Sequence, residues 1–336
     1  MMNQKIVFTA RGVAELLDAP MPTVGDGDVL VKIVRTSISA GTERANLLGD
    51  VYSMRTGKPL GFPRQCGYSA SGVVEAIGKD VTTVKVGDRV ACAWSDHAAY
   101  CALPEHRVYR LDDSVGFGAA ALIHIATFPI AAVRKVQLEI GESAIVMGQG
   151  VLGMMAVGLL RAAGAVPIIA VDPVKEKREQ ALALGADYAL DPFDPDFAKR
   201  AKELTGGGAN VAIEVTGKGQ GLDQVLDCMK PFGRVALLGC TRHSDFTIDY
   251  YRKVHGPGIS LIGAHTNARP KVESSHGLWT DGDDARAVHR LITGGRFDLE
   301  GLIKEVHLPE EAPAVFTRLA NESHFPVVQF DWRNRA

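Results

Sequence analysis

No two of the five cysteines form a CxxC pair; Cys66, Cys92, Cys101, Cys228 and Cys240 are scattered along the chain. That spacing argues against a disulfide framework and fits reduced thiols in a cytoplasmic protein. No apolar run reaches the roughly 18 residues expected of a membrane span. The opening MMNQKIVFTARG passes straight into a strand-like pattern, without the apolar core of a signal peptide. Charge of one sign is missing too: a net charge of -2 over 336 residues gives no reason to expect nucleic acid or an anionic membrane surface as partner. Internal repeats and low-complexity tracts are absent. What remains is an ordinary globular composition, 46% hydrophobic and 23% charged, in a chain long enough for two domains.

Three textures follow one another. Residues 1–118 read as β-rich: DVLVKIVRTSIS, SGVVEAIG and GDRVACAW alternate or bury β-branched residues between dense turn signals, and no helix of respectable length is expected before Gly116. Residues 119–266 alternate helix-like and strand-like blocks, among them SAIVM, GVLGMMAVGLLRAAGA, PIIAVD, VAIEVTG, RVALLG and ISLIGAH. Apolar strands separated by helices predict an α/β fold with a parallel sheet and right-handed crossovers. Residues 267–336 start with a polar loop and continue as helix, strand, helix and strand.

The strongest chemical signal is AIVMGQGVLGMMAVGLL. A buried strand ends at Met147, and Gly148, Gly150 and Gly153 form GxGxxG on the way into an apolar helix. Gly148 permits the tight turn, Gly150 lets backbone approach a pyrophosphate, and Gly153 lets helix and strand pack closely. The N–H groups at the start of the helix, from Val151 and Leu152 onward, would hold the phosphate charge. The next strand ends in Asp172, close to the spacing of about 20 residues expected for a ribose-binding acid. A carboxylate there selects NAD over NADP; Lys175, Lys177 and Arg178 just beyond it read as a solvated helix face.

The segment FPRQCGYSASGVV sets one tyrosine into a run of tiny residues, which predicts a crowded cleft wall with Tyr68 facing the cleft.

With GVVEAIGKDVTTVKVGDRV, the GxGxxG unit, VDPVKEKREQALALGAD and MKPFGRVALLG in this order, nearly the whole chain resembles the medium-chain dehydrogenase/reductase superfamily of zinc alcohol and polyol dehydrogenases. The resemblance implies a GroES-like catalytic domain, a Rossmann NAD-binding domain, and a return to the catalytic domain over 267–336. It also implies catalysis in the cleft between the domains and a homodimer formed through the strand ISLIG. Thr216, Gly239 and Ala264 fall where the family lines its cofactor.

Zinc members carry Cys-Gly-Ser/Thr-Asp and Gly-His-Glu-x-x-Gly-x-Val. Here SAGTER places Ala40 at the cysteine, and GYSASGV places Tyr68 and Ser69 at the histidine and glutamate; His124 aligns with the third ligand position. The lobe of four cysteines for a structural zinc is missing from ACAWSDHAAYCALP. Zinc needs three or four soft or imidazole ligands, so no metal is expected, and no spacing demands one from Cys66, His97 and His124. The ISAGTER variant resembles a metal-poor branch that includes the bacteriochlorophyllide hydroxyethyl dehydrogenases. The resemblance implies NAD-linked oxidation of a secondary alcohol on a small molecule, with Thr42 as proton relay and with Tyr68 and His124 doing the work of zinc. Trp94, Ser69, His97 and His265 are the candidate substrate-pocket residues. A C=C reductase is the rival within the superfamily, and a non-catalytic dinucleotide-binding protein the rival outside it. Asp172 speaks against the first; the polar groups Thr42, Tyr68 and His124 speak against the second.

Overall fold

A computed structural model describes residues 2–50, 61–241, 244 and 246–333. In chain order it begins with β1 (Met2–Ala10), β2 (Val13–Pro20), β3 (Asp28–Ser37), α1 (Ala40–Leu48), β4 (Arg64–Gln65) and β5 (Ser69–Ile77). Next come β6 (Arg89–Ala93), β7 (Tyr100–Pro104), β8 (Val108–Arg110), α2 (Phe117–Ala120) and α3 (Ile123–Lys135). The parallel region holds β9 (Ala144–Met147), α4 (Val151–Ala163), β10 (Ile168–Val171), α5 (Lys175–Ala183), β11 (Tyr188–Leu190) and α6 (Phe197–Leu204). It continues with β12 (Ala209–Glu214), α7 (Gly219–Leu226), β13 (Met229–Leu237), β14 (Ser260–Gly263) and α8 (Asp281–Thr293). The chain closes with β15 (Glu305–His307), α9 (Ala312–Asn321) and β16 (Val328–Asp331). Among the described residues, no helix is long and apolar enough to cross a membrane.

These elements form two compact units, residues 1–125 with 292–336, and residues 126–291. In the first unit β3 is the hub. It pairs antiparallel with β5, β7 and β16, and buries Val29, Val31 and Ile33. The pairing of β3 with β16 returns the end of the chain to the β-rich unit, and Phe8, Phe316, Phe330 and Trp332 fill the core between. In the second unit six parallel strands run in the order β11-β10-β9-β12-β13-β14. Strands β9 and β10 are buried at every position, as expected of strands covered by helices on both faces. The strand order reverses between β9 and β12, which puts the glycine-rich turn after β9 at the switch point of a doubly wound sheet.

Two expectations need correction. The β-rich unit does contain a helix before Gly116: α1, which buries Glu43, Ala45 and Leu47. Its start is fixed by the Ser39 N–H, which donates to Glu43 Oε1 at 2.9 Å, and its end by Gly49 in the left-handed region at φ 75°. Residues 267–291 belong to the dinucleotide unit rather than the catalytic one. Charge pairing with α3 is the reason: Arg134 Nε donates to Asp284 Oδ1 at 2.8 Å while its guanidinium stands 3.5 Å over the Trp279 ring. Arg269 likewise bonds Asp281 Oδ1 at 2.9 Å and the Thr127 carbonyl at 3.0 Å.

Candidate active site

In the first unit three of the candidate side chains come together. Strand β5 pairs with β6, Ser69 opposite Ala93, and the Trp94 N–H donates to the Tyr68 carbonyl at 2.8 Å, so Tyr68 and Trp94 extend the same ladder. Trp94 has φ 56°, a left-handed conformation rare for a bulky residue and common where a site over-determines the backbone. His124 completes the group. Its ring centroid lies 4.8 Å from Trp94 and 5.8 Å from Tyr68, edge-on to both. His124 is buried, Tyr68 half-buried, and Trp94 42% exposed, so the group reaches the surface of the unit through Trp94.

The run of small residues positions this group but is not its wall. Ser69, Ala70 and Ser71 are buried in β5. Ser69 Oγ donates to the Ala121 carbonyl and Ser71 Oγ to the Phe117 carbonyl, each at 2.6 Å. These two bonds pin the segment from α2 to His124 onto β5. Ser69 thus acts as a brace, its hydroxyl proton committed to the Ala121 carbonyl. Gly72 is required for close packing, since a Cβ would overlap the Lys32 carbonyl oxygen.

A catalytic zinc does not fit this donor set. Ala40 has no donor atom, Ser69 is committed to a carbonyl, and Tyr68 is a poor ligand, which leaves one imidazole where zinc takes three protein ligands. Thr42 lies half-buried in the first turn of α1, its carbonyl accepting from Asn46 Nδ2 at 2.9 Å. Trp94 also lines a cavity of about 380 Å³ whose mixed walls include Lys5, Asp96 and Arg107 beside Met21 and Leu103. Burial pushes the Asp96 carboxyl up, opposed by Lys5 and His97.

His97 does not line a substrate pocket. It is fully buried, with Nδ1 2.7 Å from Thr36 Oγ1, Nε2 2.9 Å from Glu43 Oε2, and its ring 5.4 Å from that of Phe330. Gly67, at φ 85°, makes room for it: a Cβ there would stand 2.7 Å from the His97 nitrogen. The shortened loop after β6 folds His97 into the core, where Glu43 is waiting. The signal for this partner was the acid next to Thr42 in GTER.

In the second unit the dinucleotide elements have the expected form. Gly148 has φ 98° and packs on Thr216, whose Cγ2 would be 3.0 Å from an added Cβ. A Cβ on Gly153 would overlap the Gly148 carbonyl oxygen, whereas Gly150, the N-cap of α4, faces open space. No side chain caps α4, so the N–H groups of Val151, Leu152 and Gly153 remain available to an anion. Asp172 is buried. Its Oδ2 accepts from the Gln149 N–H at 2.8 Å and its Oδ1 from the Val174 N–H at 2.9 Å, leaving one lone pair on each oxygen for a ribose. Arg178 is engaged with the Asp172 carbonyl at 2.7 Å and with Asp191 at 3.1 Å, so it braces the acid.

Sequence reasoning missed Glu214, a buried carboxylate at the end of β12. It accepts from the Thr216 N–H at 2.8 Å, the Thr216 hydroxyl and the Gly217 N–H, and so shapes the turn that faces Gly148. Burial raises its pKa, partly offset by these bonds. Gly239 packs so tightly on Gly217 that a Cβ would overlap the Gly217 nitrogen. Ala264, just after β14, is buried and donates to the Leu237 carbonyl at 3.1 Å. His265 is half-buried, with Nδ1 accepting from the Asn267 N–H at 3.1 Å. The residues of this unit fit a dinucleotide.

Two family models match the chain: the alcohol dehydrogenase GroES-like domain over residues 25–137 and the zinc-binding dehydrogenase over residues 151–277. The chain is 28% identical over 320 residues to the L-threonine 3-dehydrogenase of Pyrococcus horikoshii, covering 86% of this chain and 87% of that one. It is 24% identical over 340 residues to the D-guloside 3-dehydrogenase of Escherichia coli, covering 95% and 96%. The crystal structure of galactitol-1-phosphate dehydrogenase from Escherichia coli superposes with a TM-score of 0.84 at 20% identity, covering 98% of this chain and 99% of that one.

Proposed function

The chain belongs to the medium-chain, zinc-type alcohol dehydrogenase superfamily, and we propose that it is an NAD-dependent dehydrogenase that interconverts a secondary alcohol and its ketone without a catalytic zinc ion. The observation that supports this reading is the clustering of Tyr68, which stands at a metal-donor position, with His124 and with the ring of Trp94.

Bound NAD supplies the hydride acceptor. Val151, Leu152 and Gly153 would hold its pyrophosphate through backbone N–H groups, and Asp172 its adenosine ribose. A 2′-phosphate against the Asp172 carboxylate would be repelled, and Arg178 is already committed to the acid's own loop, which favours NAD over NADP. In the oxidation direction the Tyr68 hydroxyl and the His124 imidazole hold the carbinol oxygen and take its proton, and Thr42 relays it onward. In the reduction direction the same groups donate to the oxygen as negative charge develops there. Trp94 offers an aromatic face to the substrate. The cavity beside it has mixed walls, and the charged groups Lys5, Asp96 and Arg107 among them could meet the hydroxyls of a polyol or sugar derivative. Relatives named as threonine, guloside and galactitol-1-phosphate dehydrogenases support CH–OH chemistry on polar molecules of this kind.

The protein works as a cytoplasmic homodimer in this reading. Strand β14 is an edge of the parallel sheet, and Leu261 on it is exposed, as a strand that pairs with a second copy would be. The test is reduction of NAD in the presence of L-threonine, glycosides and polyols, measured before and after brief treatment with a chelator. The reading expects turnover of at least one secondary alcohol, unchanged by the chelator. Loss of turnover restored by added zinc would overturn it.

A further inference from the structure

The first unit buries three metal-ligating side chains side by side. Glu43, Cys66 and His97 are 1%, 4% and 0% exposed, and one donor atom of each lies within 4.8 Å of the other two. They come from α1, from the link between β4 and β5, and from the loop after β6, so the fold brings the group together from separate segments. None of them is one of the positions 40, 68 and 124 considered above.

An aromatic core is a costly place for such groups. A carboxylate buried there loses its hydration, and a hydrogen bond from a neutral imidazole returns only part of that loss. A divalent cation changes the balance: one carboxylate, one thiolate and a neutral imidazole bring the charge of the site to zero. Zinc bonds of about 2.0–2.3 Å place tetrahedral donors roughly 3.3–3.7 Å apart. The three donor atoms here lie within 4.8 Å of one another, and His97 Nε2 and Glu43 Oε2, now 2.9 Å apart, would part by a few tenths of an ångström to admit the ion. The mixed oxygen, sulfur and nitrogen set also favours zinc over magnesium or calcium.

The outer contacts are those that metal ligands require. His97 Nδ1 faces Thr36 Oγ1 at 2.7 Å, and Thr36 is itself held by Trp332 Nε1 at 3.0 Å. The Ser39 N–H holds Glu43 Oε1 at 2.9 Å, leaving Oε2 turned toward His97. One ring nitrogen and one carboxylate oxygen are thus oriented by second partners. Nε2 and Oε2 share a hydrogen bond of 2.9 Å and the Cys66 thiol donates to the Ile6 carbonyl at 3.3 Å, two bonds that the ion would replace.

We infer that Glu43, Cys66 and His97 form a buried zinc site in the β-rich unit, with three protein ligands and the fourth position left to water. On binding, the Cys66 thiol releases its proton to solvent. The His97 ring proton moves to Nδ1, where it donates to Thr36, and Nε2 takes the ion. The site fastens α1 and the loop after β6 to the link between β4 and β5 that carries Cys66. It is distinct from the proposed catalytic group, although Glu43 adjoins Thr42: the His97 ring packs on Phe316 and Phe330 whereas His124 packs on Tyr68 and Trp94.

The experiment is elemental analysis of the full chain together with cobalt substitution. Wild type should carry close to one zinc per chain. After removal of zinc, Co²⁺ should produce a thiolate-to-metal charge-transfer band, and added Zn²⁺ should raise Tm. Cys66→Ala should reduce the metal to background and abolish the band, whereas Tyr68→Phe and His124→Ala should keep both. The cobalt band in wild type is informative even if Cys66→Ala does not fold. Protein without zinc and without a cobalt–thiolate band would overturn the site, as would stoichiometric zinc that survives Cys66→Ala. The two proposals fail separately: absence of zinc and of the cobalt band overturns this site alone, whereas zinc-restored loss of turnover overturns the catalytic reading only where chelation leaves Tm unchanged.

Discussion

The rings of Tyr68 and His124 meet edge to face, their centroids 5.8 Å apart and their planes at 88°. A phenol hydroxyl and an imidazole held in one group can donate to an oxygen and accept its proton, the two tasks that a Lewis-acidic ion combines in one atom. Behind this pair Ser69 and Ser71 donate their hydroxyl protons to the carbonyls of Ala121 and Phe117.

Cofactor choice should follow Asp172. Calorimetry should show NAD binding at least roughly tenfold tighter than NADP, since about 1.4 kcal/mol of repulsion suffices for that ratio. Asp172→Ser should weaken NAD and narrow the gap. A wild type that prefers NADP would refute the ribose assignment and favour a C=C reductase.

Two glycines of one motif should behave in opposite ways. Gly153→Ala forces a Cβ into the Gly148 carbonyl oxygen, so backbone must move. Overpacking of this kind costs about 1–3 kcal/mol, more than the ~1 kcal/mol that alanine gains over glycine inside a helix. Tm should fall. Gly150→Ala meets open space in the protein, so Tm should hold while NAD affinity drops, because the methyl occupies the approach of the pyrophosphate. Equal Tm losses in the two variants would contradict the assignment.

The dinucleotide unit was legible because its chemistry is written locally: the strand, three glycines, helix and acid follow one another within one βαβ stretch. Helix α1 was not, since the residue it buries in its first turn is Glu43 and no apolar stripe announces it. The burial of His97 was equally hidden, because it depends on Thr36 and Glu43 far away in the chain. The place of residues 267–291 depends on the long-range pairs of Arg134 and Arg269, which no periodicity encodes. Tyr68 and His124 were candidates through motif positions alone, and those positions did not reveal that Ser69 donates to the Ala121 carbonyl.

Acid should release one tie in the C-terminal segment. Hydrogen bonds from Arg318, then from His307, hold the Glu305 carboxyl down at about 2 against its partial burial. A depressed carboxyl contributes its stability above its ordinary range, near pH 4.3, and loses it as pH falls toward 2. The Tm difference between wild type and Arg318→Met should therefore be largest at neutral pH and shrink between about pH 5 and pH 3. Salt should reduce it as well, since the pair is partly exposed. A gap independent of pH would show that Arg318 acts by packing alone.

The most direct test of the central claim is the steady-state kinetics of Tyr68→Phe on a secondary alcohol that the wild type oxidises. This change keeps the ring against Trp94 and His124 and deletes only the hydroxyl. If Tyr68 and His124 polarise the carbinol oxygen in place of zinc, kcat should fall by roughly 10²–10³-fold while KM for the alcohol and Kd for NAD change little. Turnover close to wild type in Tyr68→Phe, and again in His124→Ala, would contradict the account.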